Sequence, residues 1–270
     1  DMGLDVDGIV GENTWEALDK HKKLPNYEPI FPRTGIAGAD TLKKVNPDII
    51  TKAHKLIGER PQFWGRYFLG GDGQYDQEEN NALFNTGTRI LPVCRETRRV
   101  KGSEADGHDV GRRVAEDVLE TFEEDYLASQ GGIFYIFLDT EPRPEPALSS
   151  NYYLGWSKAV MSASRKVKFL PCVYLNAGDE ETATALLKAM NSGAECHGLW
   201  IANYGKRPNS MIRPWFEKQA NPVTKLPCPV LIHQYVGDID NGIYDFNQIN
   251  PFLDEPESLM LERFIFPQQV

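Results

Sequence analysis

Two carboxylates follow an apolar segment of this sequence with only one residue between them. The segment 133–138 (IFYIFL) runs directly into Asp139, Thr140 and Glu141. If the backbone stays extended, both carboxylates point to the same side, with their Cα atoms about 6.5–7 Å apart. Neighbouring carboxyl groups raise each other's proton affinity, and burial adds to the effect. One could then stay protonated as a general acid while the other stays charged, as hydrolysis of a glycosidic bond requires.

The elements that could position this pair alternate regularly along the chain. Continuous apolar segments favour strands buried on both faces of a parallel sheet, and eight such strands in about 215 residues predict an α/β fold, a (β/α)₈ TIM-type barrel. A doubly wound open sheet is the alternative, but no glycine-rich nucleotide-binding loop follows any strand. The predicted strands are 35–40, 63–68, 89–94, 133–139, 168–175, 198–203, 229–235 and 242–246. The clearest predicted helices are 46–59, 76–85, 108–128, 151–164 and 180–191.

Polar residues stand where most of these predicted strands end. The functional face of such a barrel lies at the carboxyl ends of its strands, so these residues would meet at one mouth. Aromatic rings there could stack on the C–H faces of sugars, beside polar groups that bind hydroxyls. The candidate catalytic residues are Asp40, Asp139, Glu141 and Asp245. The candidate substrate-binding residues are Arg66, Tyr67, Asn176, Trp200, Tyr204, Gln234 and Tyr235.

Each of these residues also has an ordinary structural explanation. Asp139 could cap a loop, Glu141 could be a solvated loop residue, and Trp200, in mid-strand, could belong to the core. Random surface decoration would place as many carboxylates at strand starts, whereas the starts here are mostly Gly, Pro, Lys and Cys. The set of matching strand ends therefore favours a functional site.

The sequence contains no strong metal-binding or redox motif. His108 and His233 have no His or Cys partner at H-x-x-x-H spacing, and the four cysteines form no C-x-x-C pair. We therefore expect no metal and no cofactor, although a metal-dependent hydrolase using His233 with the same carboxylates stays an alternative. Cys196 and Cys228 each precede a predicted strand and could form a disulfide.

Composition argues against two classes of partner. With 29 Lys and Arg against 39 Asp and Glu, the net charge is −10, and no basic stripe is present for binding nucleic acid. No apolar segment approaches the roughly 18 residues of a membrane helix. The 270 residues suffice for one large domain, which we expect to be a monomer.

Residues 3–18 (GLDVDGIVGENTWEAL) resemble the second half of a short three-helix peptidoglycan-binding domain. The motif of that family, an LGL-x-VDG-x-x-G-x-x-T core, is matched by Gly3-Leu4, Val6-Asp7-Gly8, Gly11 and Thr14. We therefore assign residues 1–23 to a partial peptidoglycan-binding domain, a short helical fragment. Residues 24–33 form a proline-containing linker, and residues 34–270 form the barrel.

Residues 35–250 resemble the bacterial glycoside-hydrolase-like barrels related to family 25 muramidases. The similar segments include FWGRYFLGGDG (63–73), IFLDTEP (136–142), LWIANYG (199–205) and IHQYVGDIDNGIYDFNQI (232–249). The resemblance implies a lysozyme-like glycosidase with Glu141 as the acid, Asp139 as the stabilising carboxylate, and Asp40 and Asp245 completing the floor. It also implies that the partner is peptidoglycan or a related amino-sugar polymer. We therefore expect a secreted or envelope-associated bacterial protein, with its export signal absent from this sequence.

The predicted first strand differs from that of the muramidases. They usually begin with a D-V-S-x-x-Q type strand, whereas this chain has GIAGADTLKKVN (35–46). The difference slightly favours an alternative function, in which the barrel binds peptidoglycan or another carbohydrate without cleaving it.

Overall fold

The computed structural model describes residues 34–269, except for residues 70, 72, 96–99, 142–146 and 205–219. The chain divides into two units, Asp1–Arg33 and Thr34–Val270, of which only the second contains described residues. The partial peptidoglycan-binding domain (1–23) and the linker (24–33) lie outside the described residues. Both assignments therefore stay predictions.

Eight strands close into a barrel in the order of the chain. Strands β1 to β7 pair in parallel with their neighbours in sequence. Every predicted strand overlaps an observed one, and the predicted α/β barrel is confirmed. The strands are β1 (Ala37–Asp40), β2 (Phe63–Phe68), β3 (Arg89–Cys94), β4 (Ile133–Asp139), β5 (Lys168–Asn176), β6 (Leu199–Ala202), β7 (Val230–Asp238) and β8 (Tyr244–Ile249).

Helices follow most of the strands in the described part of the chain. The side chains of Asn46 and Ser103 cap the first and third helices by accepting hydrogen bonds from the backbone N–H groups of Ile49 and Asp106. None of the described helices is both long and apolar enough to cross a membrane. The helices are α1 (Pro47–Ile57), α2 (Glu78–Thr86), α3 (Glu104–Phe122), α4 (Glu124–Ser129), α5 (Ser150–Ser162), α6 (Glu180–Asn191), α7 (Ile239–Gly242) and α8 (Glu257–Glu262).

Strand β8 runs antiparallel to both of its neighbours, β7 and β1, so the expectation of an entirely parallel sheet is wrong here. Only five residues, 239–243, separate β7 from β8, whereas a parallel crossover needs about a dozen or more. The chain reverses through α7, where Asp238, Asp240 and Asn241 adopt positive φ angles. As a result, the first residues of β8 lie at the same end of the barrel as the last residues of the other strands.

The helix predicted over 108–128 is interrupted once. Helix α3 ends at Phe122 and α4 begins at Glu124, because the φ angle of Glu123 is 60°, outside the right-handed helical range. Phe122 and Leu127 are both buried on either side of the break. The apolar spacing therefore continues across it, which explains why the sequence pattern predicts one helix.

Alternate residues of the strands fill the barrel interior. Leu91, Tyr135 and Leu170 belong to this inner cluster, while the intervening residues pack outward against the helices. The inner cluster ends at Trp200, whose ring meets those of Phe137 and Tyr174 edge-on, with centroids 5.7 Å and 5.2 Å away. A packed apolar core therefore supports the polar end of the barrel from below.

Cys196 and Cys228 lie just before β6 and β7, with their Sγ atoms 3.8 Å apart as free thiols. The hydrogen bond that the Cys228 thiol donates lowers the pKa of Cys196 and so favours its thiolate, the form that attacks a disulfide. We therefore expect a small-molecule disulfide to oxidise the pair. Cys196 and Cys228 then form an intramolecular disulfide, and the reagent is reduced to two thiols.

This disulfide would link positions 32 residues apart and should raise the free energy of unfolding by about 3–4 kcal/mol by restricting the unfolded chain. Denaturant midpoints before and after oxidation measure the effect, and mass spectrometry after alkylation counts the remaining thiols. Cys228→Ser should abolish the response to the oxidant, whereas Cys94→Ala, in β3, should keep it. Equal midpoints for the oxidised and reduced wild-type protein would contradict the expectation.

Candidate active site at the barrel mouth

The mouth is the end of the barrel formed by the last residues of β1 to β7 and the first residues of β8. Asp40 is the last residue of β1, Asp139 the last residue of β4, and Asp245 the second residue of β8. Asp40 and Asp245 are register partners on neighbouring strands. Glu141 follows β4 by two residues. We call these four residues the carboxylate cluster.

Asp40 is the most deeply buried member of the carboxylate cluster, with only 3% of its surface exposed. Its Oδ2 accepts hydrogen bonds from Asn247 Nδ2 at 2.8 Å and from Gln234 Nε2 at 3.1 Å. Burial, followed by the charge of Asp245, raises the pKa of Asp40 well above its ordinary value, and the two amides oppose this shift. Asp40 is therefore the member of the cluster that burial favours in the protonated form.

The backbone after β4 is held in a turn by the side chains of its own residues. Asp139 Oδ1 accepts a hydrogen bond from the Glu141 N–H at 2.9 Å. The Thr140 hydroxyl donates to the carbonyl oxygen of Tyr174 at 2.8 Å, which ties the turn to β5. Strand β4 ends at Asp139, so the backbone is not extended through Glu141 as the sequence analysis assumed. The turn nevertheless brings the Glu141 carboxylate to Tyr174.

Two tyrosines stand among the carboxylates. Burial raises the pKa of Tyr67, and the charges of Asp40, Asp139 and Asp245 add to the shift. Burial also raises the pKa of Tyr174, with the charge of Glu141 as the next cause. These shared electrostatic partners indicate that carboxylates from β1, β4 and β8 converge on the same space. The prediction that the four carboxylates share one mouth therefore agrees with their placement, although their roles stay predictions.

Tyr174 bridges two polar side chains at the mouth. Its hydroxyl oxygen lies 3.1 Å from Glu141 Oε1 and 2.9 Å from Gln234 Oε1. The Tyr67 hydroxyl lies 3.5 Å from Asp40 Oδ1. The guanidinium carbon of Arg95 stands 5.2 Å from the centroid of the Tyr67 ring, a cation–π distance.

The floor of the mouth fixes the orientation of Asn247. The Trp200 indole N–H donates to Asn247 Oδ1 at 2.8 Å, so the amide nitrogen of Asn247 must face Asp40. Gly65 makes room for this contact, because a Cβ atom there would lie 2.6 Å from the Trp200 ring and 2.9 Å from the Asp40 Cβ. Trp200 is buried, so it supports the mouth rather than lining it.

Three further predicted binding residues lie at or beside the mouth. Asn176 ends β5, is exposed, and accepts a hydrogen bond from the Gly178 N–H at 2.9 Å. Tyr204 follows β6, is 40% exposed, and lies close against Gly237 near the end of β7. Gln234 points inward from β7 to Asp40 and Tyr174. Asn176 and Tyr204 are therefore placed where a bound ligand could contact them, whereas the buried Gln234 supports the mouth from the floor.

Arg66 and Tyr235 do not face the mouth. The Arg66 guanidinium is buried behind β2, where it binds Glu79 through Nε at 2.8 Å and Nη2 at 2.7 Å. Tyr235 packs in the outer apolar layer between the sheet and the helices. Strand alternation explains both placements, since Tyr67 and Gln234, the adjacent residues, point inward. We therefore propose no substrate contact for either residue.

Tyr174, Asn247 and Arg95 complete the site but were not among the predicted site residues. Tyr174 lies two residues before Asn176, so strand alternation places both on the inner face. Its position inside an apolar segment made it resemble a core residue. Asn247 and Arg95 stand at predicted strand ends, where the same rule that selected Asp245 could have included them.

Metal ligands are not assembled in the described residues. His233 faces outward with its neighbour Tyr235, and its Nε2 contacts the carbonyl oxygen of Asn203 at 3.1 Å. Within 34–269, less the gaps given above, no group of three or more His, Cys, Asp or Glu side chains could hold a metal ion. A metal-dependent hydrolase built on His233 therefore receives no support from this arrangement.

Carboxylates, phenols and amides together suit one kind of chemistry. The cluster offers a buried carboxyl group, Asp40, whose pKa burial raises, and a partly exposed one, Glu141, in contact with a phenol. Such an arrangement can donate and accept protons at a polar, hydroxyl-rich ligand. It also offers hydrogen-bond partners on several sides.

Neither a protein-family model nor a curated protein matches this chain. Among solved structures, a B. stearothermophilus protein is 18% identical, with a TM-score of 0.62 over 86% of this chain and 100% of the other. The Mycobacterium tuberculosis Tat-secreted protein Rv2525c, in complex with HEPES, is 17% identical, with a TM-score of 0.48 over 80% of this chain and 95% of the other. The modular autolysin LytC from Streptococcus pneumoniae, in complex with a synthetic peptidoglycan ligand, is 12% identical, with a TM-score of 0.44 over 78% of this chain and 46% of the other. The first similarity shows a shared fold, and at these identities none of the three assigns an activity to this chain.

Proposed function

We propose that this barrel is a glycosidase that cleaves peptidoglycan or a related amino-sugar polymer in a muramidase-like reaction. The observation that carries the proposal is the carboxylate cluster at the barrel mouth, with tyrosine and amide side chains bound to it. Glycoside hydrolysis requires one carboxylic acid to protonate the leaving oxygen and one carboxylate to stabilise the positive centre or activate water. The cluster contains enough carboxyl groups, in different environments, for both tasks.

Glu141 is the proposed general acid. It is partly exposed, so a glycosidic oxygen can reach it, and its Oε1 contacts the hydroxyl of Tyr174. Asp139 is the proposed stabilising carboxylate, because the turn that it forms with the Glu141 N–H keeps the two side chains adjacent. Asp40 is too deeply buried to touch a sugar and acts from the floor. Asp245, whose charge raises the pKa of Asp40, holds the proton balance of the acid or binds substrate.

The substrate-binding residues are those at the rim of the mouth. Tyr67 and Tyr204 provide rings for the C–H faces of sugars, and Asn176 provides an amide for hydroxyl or N-acetyl groups. The resemblance of residues 3–18 to a peptidoglycan-binding domain supports the choice of polymer. It also supports a secreted or envelope-associated location. We propose that the protein acts as a monomer without a metal or a cofactor.

A carbohydrate-binding barrel without turnover is the second candidate. It is favoured by the first strand, where GIAGAD (35–40) replaces the usual muramidase pattern, and by the Asp40 carboxylate, whose Oδ2 is occupied by two amides. Such a protein would keep the mouth as a binding surface. It would sediment with cell walls but release nothing from them.

Digestion of purified bacterial cell walls separates the two candidates. The soluble fraction is reduced with borohydride and analysed by mass spectrometry. Under the enzymatic proposal, muropeptides with reduced N-acetylmuramic acid ends accumulate with time. Co-sedimentation without soluble muropeptides would overturn the glycosidase proposal and favour the binding barrel. Reduced N-acetylglucosamine ends would keep the glycosidase but contradict the muramidase bond.

A further inference from the structure

A chain of three hydrogen bonds joins two members of the carboxylate cluster. Asp40 Oδ2 lies 3.1 Å from Gln234 Nε2, and Gln234 Oε1 lies 2.9 Å from the Tyr174 hydroxyl. The same hydroxyl lies 3.1 Å from Glu141 Oε1. Gln234 and Tyr174 are both buried, so water does not substitute freely for either partner. The carboxyl groups of Asp40 and Glu141 are therefore connected through two side chains.

The number of available hydrogen atoms restricts the charges that the two carboxyl groups at the ends of this hydrogen-bonded series can carry. A tyrosine hydroxyl has one hydrogen, and a glutamine has donors only on its nitrogen. If both carboxyl groups are ionised, Gln234 donates to Asp40 and Tyr174 donates to Glu141. The carbonyl oxygen of Gln234 then faces the phenol oxygen of Tyr174 with no hydrogen between them. A buried contact without its hydrogen bond is costly.

One proton on the pair satisfies all three contacts in two ways. In the first, Glu141 is the acid and donates to the phenol oxygen, Tyr174 donates to the Gln234 carbonyl, and the Gln234 amide donates to the Asp40 carboxylate. In the second, the Gln234 amide is turned over: Asp40 is the acid and donates to the Gln234 carbonyl, Gln234 donates to Tyr174, and Tyr174 donates to the Glu141 carboxylate. The proton is conserved between them.

We propose that Asp40 and Glu141 hold one proton between them, and that Gln234 and Tyr174 are the positioning residues that transmit its location. We call this arrangement the relay. As a statement about turnover, this inference rests on the proposed function, since Glu141 must hold the proton to act as the acid. As a statement about titration, it needs no substrate. Tyr174 changes from acceptor to donor when Glu141 loses its proton, which stabilises the carboxylate that catalysis would leave behind.

Other charged and titratable groups face Asp40 from several elements. Asp245 lies opposite on β8, and the Tyr67 hydroxyl on β2 lies 3.5 Å from Asp40 Oδ1. The charge of Glu141 also acts on Asp40, and those of Asp139 and Arg95 act on Tyr67. Asp245 and Glu141 act on Asp40 through space, whereas among the described hydrogen bonds Gln234 and Tyr174 join Asp40 to Glu141. The test must therefore separate the two routes.

Carbon-13 NMR of labelled aspartate carboxyl groups, with Asp40→Asn for assignment, follows the titration of Asp40. Glu141→Gln imitates the protonated acid, because its amide can donate to Tyr174 in every state. We expect this change to lower the pKa of Asp40 by about one pH unit or more, as for strongly interacting sites. In a Tyr174→Phe background, the same change should lower it by less than half as much.

Tyr67→Phe is the matched control, because it removes a phenol beside Asp40 that is not one of the hydrogen-bonded groups between Asp40 and Glu141. The pKa shift of Asp40 caused by Glu141→Gln should persist in the Tyr67→Phe background. An equal response with and without Tyr174 would overturn the relay, and so would no response at all. If Tyr174→Phe does not fold, Gln234→Met interrupts the chain at its other link and must give the same loss of response.

The relay and the proposed function fail separately. Loss of the response with muropeptide release intact would leave a glycosidase without the relay. A preserved response without muropeptide release would leave the relay in a barrel that only binds carbohydrate.

Discussion

Replacing Glu141 by glutamine is expected to lower the rate of muropeptide release by about 10²–10⁴-fold, the usual contribution of a general acid. Glutamine has nearly the same size as glutamate and can still hydrogen-bond to Tyr174. It cannot protonate a glycosidic oxygen, so the loss should fall on turnover. The amount of protein that sediments with cell walls should change little, because the mouth keeps its shape.

Release rates and wall binding are measured on the same wall preparation for wild type, Glu141→Gln and a surface control. Glu262→Gln is a suitable control, since Glu262 is exposed on α8, a helix that packs at the opposite end of the barrel where Ile265 pairs with Ile90. The control should release muropeptides at the wild-type rate. Wild-type rates from Glu141→Gln would exclude Glu141 as the acid. A parallel loss of binding would indicate a role in holding the substrate.

The strand-end rule located the carboxylates, but it succeeded at Asp245 for a different reason from the one expected. Asp40 and Asp139 stand at the carboxyl ends of parallel strands, as the sequence predicts. Asp245 reaches the mouth because β8 is antiparallel, so its beginning meets the ends of the other strands. A five-residue connection between β7 and β8 already excludes a parallel crossover. The length of that connection could therefore have predicted the reversal.

For the predicted binding residues, the sequence pattern does not distinguish side chains that point into the barrel from those that point outward. Arg66-Tyr67 and Gln234-Tyr235 are adjacent pairs, and in a strand only one member of each pair can point inward. Composition alone does not say which one, and the polar or aromatic character of both members made both candidates. Tyr174 presents the opposite problem. Its chemistry becomes visible only when the Glu141 turn and Gln234 are placed beside it, which requires the three-dimensional register of β4, β5 and β7.

The second large effect is expected from the buried ion pair behind the mouth. Arg66→Met should lower the free energy of unfolding by about 3–5 kcal/mol, because it leaves the Glu79 carboxylate buried without its cation. Arg66 and Glu79 side chains are 0% and 1% exposed, respectively, and Arg66 Nη2 binds Glu79 Oε1 at 2.7 Å. Glu79 also accepts a hydrogen bond from the Val45 N–H at 2.7 Å, so it cannot turn outward at little cost. Urea unfolding, followed by circular dichroism, measures the loss.

An exposed pair provides the matched control. Arg112 binds Glu116 at 2.5 Å on the surface of α3, where the two side chains are 47% and 46% exposed, and Arg112→Met should cost less than about 1 kcal/mol. The double variant Arg66→Met/Glu79→Met should recover much of the lost stability, since replacing both partners removes the uncompensated charge. A cost for Arg66→Met no larger than that for Arg112→Met would contradict the argument.

Arg66 also donates hydrogen bonds to the carbonyl oxygens of Gly73 and Thr41, the latter next to Asp40. A folded double variant would therefore reveal whether the pair is needed for stability or for the position of Asp40, because only the second role would change the titration of that carboxyl group.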